Sequence, residues 1–219
     1  MKKKAVIFDL DGTLLDTLTD LAISVNYALG VMGYKERTKE EVCSFVGNGV
    51  GVLIKKAVPQ GTSDEDAKRT LGLFSEHYGK HMNDNTKPYD GIEELLAELK
   101  AAGIKTGVVS NKYDAAVKNL CARIFDDVFD VVAGERDGIA RKPAPDGVFA
   151  VLAELNVDKK DAVYVGDADT DVLTAMNAGM DFIGVDWGFR SREVLEKAGA
   201  KVVVSSANEL KSVLSVRKR

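Results

Sequence analysis

Apolar positions along the chain follow two periods, and the change between them divides the sequence. Ala5-Val6-Ile7-Phe8 is a continuous apolar run, β-branched at its centre, and predicts a strand buried on both faces. Spacing then turns helical: Leu18, Leu21, Ala22, Val25, Leu29 and Met32 share one face, and Gly33 is a suitable stop. Further helices are predicted over 40–46, 50–58 and 64–81. Asp64, Glu65 and Asp66 suit the positive end of the last helix dipole. No strand pattern occurs between Thr17 and Asn83.

From Tyr89 the periods alternate. Asp90 and Glu93 form a capping-box signature before Ile92, Leu95, Leu96 and Leu99, and Gly103 closes that helix. Strands are predicted over 104–109, 128–133, 162–165 and 181–185, with helices over 114–121, 145–155 and 169–178 between them. Pro145 suits the first turn of its helix. Segments 194–198, 201–204 and 208–214 finish the chain. Strands alternating with helices of this length imply βαβ units, an α/β fold with a doubly wound, mostly parallel sheet. The expected organisation is a core of residues 1–15 and 84–219, interrupted by an all-helical insertion over 16–83, with the polar stretch Asn83–Pro88 as the returning linker.

A length of 219 residues suits such a core plus a small second domain, and 45% hydrophobic with 29% charged residues is ordinary for a soluble protein. The net charge of -4 gives no reason to expect a nucleic acid or an anionic membrane as partner. Lys2-Lys3-Lys4 and Arg217-Lys218-Arg219 read as solvated basic tails. The apolar run after Lys4 is too short for a signal peptide or a membrane span. Cys43 and Cys121 have no metal-type spacing, which predicts reduced thiols in a cytoplasmic protein.

The chemistry gathers at strand ends. Asp9 and Asp11 follow the first strand, and residues two apart in an extended chain point to one side, so their carboxylates converge. Converging carboxylates repel unless one is protonated or a cation lies between them, and a hard ion such as Mg²⁺ meets that need. Taken alone, Asp-x-Asp-Gly reads more readily as a strand ending in a turn. Three further clusters weigh against that: Ser110-Asn111-Lys112, Arg141-Lys142-Pro143-Ala144-Pro145 and Gly166-Asp167-Ala168-Asp169-Thr170-Asp171. Each lies at a predicted strand end or before a predicted helix. An acid, a hydroxyl, a cation and a second acidic group along one sheet edge suit a phosphoryl group accompanied by Mg²⁺. The metal would lie on Asp9, Asp11 and Asp167, and the phosphate oxygens on Ser110, Asn111 and Lys142.

In this order, the four clusters resemble the motifs of the haloacid dehalogenase-type phosphotransferase superfamily. Asp9–Thr13 matches the first, Ser110 the second, Lys142-Pro143 the third, and Gly166-Asp167 with Asp171 the fourth. The inserted helices resemble that superfamily's helical cap, and within it the chain is similar to phosphoglycolate phosphatases. The resemblance implies Asp9 as the nucleophile that forms an aspartyl phosphate, and Asp11 as acid and then base. It implies Ser110 and Lys142 on the transferring oxygens, Asp167 on Mg²⁺, and Asp171 on the metal or its waters. Gly47 and Asn48, in Gly47-Asn48-Gly49-Val50-Gly51, would take part in substrate choice, although a plain interhelix turn accounts for them as well. The implied partner is a small anionic phosphate ester, with 2-phosphoglycolate foremost and the chain a monomer or homodimer. A sugar-phosphate mutase, a pyrophosphate or phosphonate hydrolase, and a phosphoacceptor signalling domain are the alternatives.

Other candidates have plainer readings. Asp169 reads as a helix cap, Lys55 and Lys56 as a solvated helix face, and Trp187-Gly188-Phe189-Arg190 as partly buried aromatics bordering the pocket. His77 and His81 share a helix face but lack a third metal ligand.

Overall fold

The computed structural model describes residues 3–126 and 128–214. The chain divides into two compact units, one of residues up to 15 with those from 88 onward, the other of residues 16–87. It leaves the first unit after β1 (Ala5–Phe8), crossing at β2 (Leu15–Asp16) and returning at β3 (Lys87–Pro88), two short strands that pair with each other.

The second unit is helical: α1 (Leu18–Val31), α2 (Lys39–Phe45), α3 (Val50–Ala57) and α4 (Asp64–His81). Its interior takes Leu21, Val25 and Leu29 from α1, Leu53 and Ile54 from α3, and Phe74 from α4. Thr38 and Glu41 form a reciprocal capping box on α2, and Ser63 accepts from the Asp66 N–H at the start of α4. Asp20, buried near the start of α1, ties the two ends of the unit together. Its carboxylate accepts from the backbone N–H groups of Asn85 (3.0 Å) and Thr86 (2.9 Å), the Asn85 amide (2.8 Å) and the Thr86 hydroxyl (2.8 Å). Lys55 and Lys56 are exposed, as their helix face implied. His77 and His81 stack at 4.4 Å between ring centroids, His77 bonding Ser24 and His81 pairing with Asp84.

The first unit continues with α5 (Ile92–Ala101), β4 (Lys105–Tyr113), α6 (Asp114–Phe125), β5 (Val131–Glu135), α7 (Asp146–Leu155), β6 (Ala162–Gly166), α8 (Asp169–Ala178), β7 (Asp181–Val185), α9 (Arg192–Ala198), β8 (Val203–Val204) and α10 (Ala207–Val213). Six strands form one sheet in the order β5-β4-β1-β6-β7-β8, every neighbouring pair parallel. The apolar run of β1 is fully buried at the sheet centre, and Ile7 packs with Val148, Val151 and Tyr164 in the main core. After β1 the chain builds outward on one side through β4 and β5, then on the other through β6 to β8. The crevice at the reversal, between β1 and β6, opens at the carboxyl ends of the strands. Register sets Phe8 opposite both Val108 and Val165, and β4 continues past that level to Tyr113.

Three local expectations are corrected. Asp90 does not cap α5: Gly91, left-handed at φ 79°, is the N-cap, and no side chain bonds there. The strand expected over 104–109 runs on through Ser110, Asn111 and Lys112 to Tyr113, with a register irregularity after Val109. Those residues broke the apolar pattern because they carry polar chemistry at the strand end, while the backbone stays extended. Lys3 and Lys4 are not a loose tail, since they pair with Asp181 and Asp161, each at 2.7 Å. Lys2 and Arg217–Arg219 lie outside the described residues.

Replacing Asp20 with alanine leaves its buried donors without their acceptor and should cost about 3 kcal/mol, read as a lower urea midpoint. The two thiols should differ sharply. Burial, reinforced by the charge of Asp11, pushes the Cys121 thiol up to about 12, whereas Cys43 is only half-buried. Titration of the native protein with a thiol reagent at pH 8 should therefore give one fast equivalent, assigned to Cys43 by peptide mapping, and the second only after denaturation.

Candidate active site

The polar residues that interrupt the apolar strands meet at the carboxyl edge of the sheet, all within the α/β unit. Asp9 directly follows β1, and its backbone N–H continues the ladder to Val165 O at 2.9 Å, so the nucleophile candidate stands on the most buried strand. Asp167 follows β6, and Asp171 lies in the first turn of α8. Carboxylate oxygens of Asp9, Asp167 and Asp171 all lie within 4.8 Å of one another, and all three residues are buried. Lys142 enters this group from the segment before α7. Its Nζ lies 2.7 Å from Asp9 Oδ1 and 2.7 Å from Asp171 Oδ1.

The charges do not balance. Three buried carboxylates face one ammonium, and the excess negative charge is visible in the acidities of Asp9 and Asp167. Burial and the charge of Asp171 hold Asp9 well above the usual carboxylate range against the pull of Lys142. Burial and Asp171 likewise push Asp167 up to about 7, although hydrogen bonds from Phe189 and Thr13 work the other way. Burial opposes the Lys142 charge, but Asp171 and Asp9 more than offset it and hold its pKa well above the ordinary lysine value. A divalent cation among the three acids would remove the imbalance, and an all-carboxylate donor set selects a hard one. These residues therefore fit a divalent metal, with Asp9, Asp167 and Asp171 as its holders.

Asp11 takes a different place. Its carboxylate stands outside that trio and receives Lys112 Nζ on both oxygens, at 2.7 and 3.0 Å. Ser110 Oγ accepts from the Lys112 N–H at 3.2 Å, so the second cluster folds back on itself. Asn111 is committed to the backbone of Lys142: its amide donates to Lys142 O at 3.1 Å, and its carbonyl oxygen accepts the Lys142 N–H at 2.9 Å. Asn111 thus sets the segment that carries the lysine. Asp169 is exposed at the head of α8, 3.9 Å from Arg190 Nε. Gly47 and Asn48 belong to the helical unit, in the turn between α2 and α3, where Gly47 and Gly49 adopt φ 121° and 82° and Asn48 is exposed.

Two participants escaped the sequence reading. Tyr164, fully buried inside an apolar strand, donates its hydroxyl to Asp171 Oδ1 at 3.1 Å, the same oxygen that holds Lys142. Its place among valines marks it as core, and nothing local distinguishes it. Lys112 stood beside Ser110 and Asn111 as an unassigned cation, and its ion pair with Asp11 crosses 101 residues of sequence.

Comparison with known proteins agrees with this geometry. The haloacid dehalogenase-like hydrolase family model matches residues 6–185. The phosphoglycolate phosphatase of Vibrio parahaemolyticus is 32% identical, over 97% of this chain and 96% of its own. That of Colwellia psychrerythraea is 29% identical, over 95% and 96%. A crystal structure from Lactobacillus delbrueckii subsp. bulgaricus superposes with a TM-score of 0.93 at 38% identity, covering 98% of this chain and 99% of that one. CbbY from Rhodobacter sphaeroides, solved in complex with phosphate, has a TM-score of 0.74 at 26% identity, over 95% and 96%. With a match from the first strand to β7 and relatives of nearly equal length, the chain belongs to the haloacid dehalogenase-like hydrolase family.

Proposed function

We propose that this enzyme is a Mg²⁺-dependent, cytoplasmic phosphatase that hydrolyses a small anionic phosphate monoester, 2-phosphoglycolate foremost, through an aspartyl phosphate on Asp9. The observation that carries the reading is the convergence of Asp9, Asp167 and Asp171 on Lys142 at the sheet edge, with Asp11 beside them. The names of the full-length relatives supply the substrate.

In the first step Asp9 attacks phosphorus, the bond to the ester oxygen breaks, and Asp11 gives its proton to the departing alkoxide. In the second step Asp11 takes a proton from water, the water attacks the aspartyl phosphate, and inorganic phosphate leaves with Asp9 restored. The Lys112 contact on both oxygens, at 2.7 and 3.0 Å, orients the Asp11 carboxyl group for these transfers. Lys142 offsets the charge that accumulates on Asp9 and the transferring oxygens, and Ser110 supplies a hydroxyl to those oxygens. Asp171 closes the acidic cluster and, with Tyr164, steers Lys142. Mg²⁺ held by Asp9, Asp167 and Asp171 would offset the negative charge that these acids and the phosphoryl group bring together. The helical unit serves as a cap that excludes water during the first transfer, and Gly47 and Asn48 contribute to substrate choice.

Purified enzyme should release phosphate from 2-phosphoglycolate with Mg²⁺ and lose that activity in excess chelator. The Asp9→Asn variant should lose about 10³-fold or more in kcat while keeping a native circular dichroism spectrum. Wild-type turnover by that variant would refute the covalent route, and another ester preferred tenfold in kcat/KM would refute the substrate. Tyr164→Phe should keep the fold and lower kcat about fivefold, equivalent to about 1 kcal/mol, because Asp171 keeps Lys142 but loses one donor.

A further inference from the structure

The loop that follows β7, Asp186-Trp187-Gly188-Phe189-Arg190, has no part in the reaction described above, yet its backbone reaches the acidic cluster. The Phe189 N–H donates to Asp167 Oδ2 at 2.7 Å, while the Thr13 hydroxyl donates to Asp167 Oδ1 at 3.0 Å. Each oxygen of this carboxylate is therefore held by a donor from a different segment, so the group cannot rotate without losing one of them. The two donor segments are themselves joined, because the Trp187 indole N–H donates to the Thr13 carbonyl at 3.1 Å.

Between these bonds the backbone leaves no room. A methyl group at Gly188 would stand 2.2 Å from the Gly12 carbonyl oxygen and 2.5 Å from Asp167 Oδ2, and one at Gly12 would stand 2.3 Å from that same oxygen. Gly12, at φ 90°, is also in a conformation that a side chain would strain. Two glycines from distant parts of the chain thus flank one carboxylate. The far side of the loop is anchored as well: Asp186 pairs with Arg192 at 2.8 Å and accepts from the Ser205 hydroxyl at 3.0 Å.

We propose that Trp187-Gly188-Phe189 is a positioning loop for the metal holder Asp167. By fixing both carboxylate oxygens against Thr13 and Phe189, it presets the lone pairs left to the cation. The inference rests on the metal site proposed above. Partners that orient a metal-binding carboxylate govern affinity more than fold, and losing one costs about 10- to 100-fold in binding. The loop acts through Asp167, so Gly188 and Trp187 are positioning residues.

The test is direct Mn²⁺ binding to the full chain, read from the electron paramagnetic resonance signal of the free ion, with melting in chelator as a separate measure of folding. Gly188→Ala should raise the Mn²⁺ Kd about tenfold while the metal-free protein still melts cooperatively. Trp187→Phe keeps an aromatic side chain but loses the pyrrole part of the indole with its bond to Thr13, and should raise Kd about threefold. It remains informative if the tighter Gly188 site does not fold. In both variants the Mg²⁺ concentration for half-maximal activity should rise with the Mn²⁺ Kd while KM for the ester stays put. A folded variant of either kind that binds Mn²⁺ as tightly as the parent overturns the positioning role. A parent that binds no Mn²⁺, or an Asp167→Asn variant that binds it equally well, instead overturns the metal site itself and this inference with it.

Discussion

Everything at the site answers to one electrostatic problem: a single ammonium shared by two of three buried carboxylates. Lys142 stands 2.7 Å from Asp9 and from Asp171, and among the described residues no second lysine pairs with them, Lys112 being engaged with Asp11. A buried cluster with excess negative charge is tolerated only where the backbone fixes it firmly and a cation can complete it. The protein meets the first condition with the sheet. Asp9 extends a fully buried strand, Asp171 caps the Ala168 N–H at 3.0 Å, and Asn111 holds the backbone of Lys142 from both sides. What looks like a set of catalytic groups is also a set of mutual restraints, and few could be changed alone.

The parallel sheet makes those restraints inexpensive. Three neighbouring strands run in parallel register, so residues that are remote in sequence emerge side by side without long loops. Apolar pressure on β1 and β6 orders the strands, and the polar residues immediately beyond them inherit that order. Core packing and chemistry are therefore one problem here.

The architecture and the four clusters were legible because each is written in contiguous residues: an apolar run, then acids, a hydroxyl or a cation. The strand that carries Ser110 was expected to end before it, since extended backbone with polar side chains lacks the apolar period. Asp90 and Glu93 carried a local helix-start signature, but the chain turns through Gly91 instead. The working capping box, Thr38 with Glu41, has the same spacing and went unremarked. Asn111 was expected on phosphate oxygens, whereas its amide is spent on Lys142. Tyr164 and Asp20 were invisible for a shared reason. Each is defined by partners that folding alone brings near, and a tyrosine among valines or an aspartate on a helix has no local mark.

Asp20 has a consequence for how this chain could have arisen. Bonding residue 20 to residues 85 and 86, beside the pairing of β2 with β3, makes the helical unit close on its own ends. For the sheet, seventy-odd residues then behave as a short turn, and the entropy of closing a long loop is settled inside the insertion. Lineages could lengthen, shorten or exchange such a module while the strand ends keep their register.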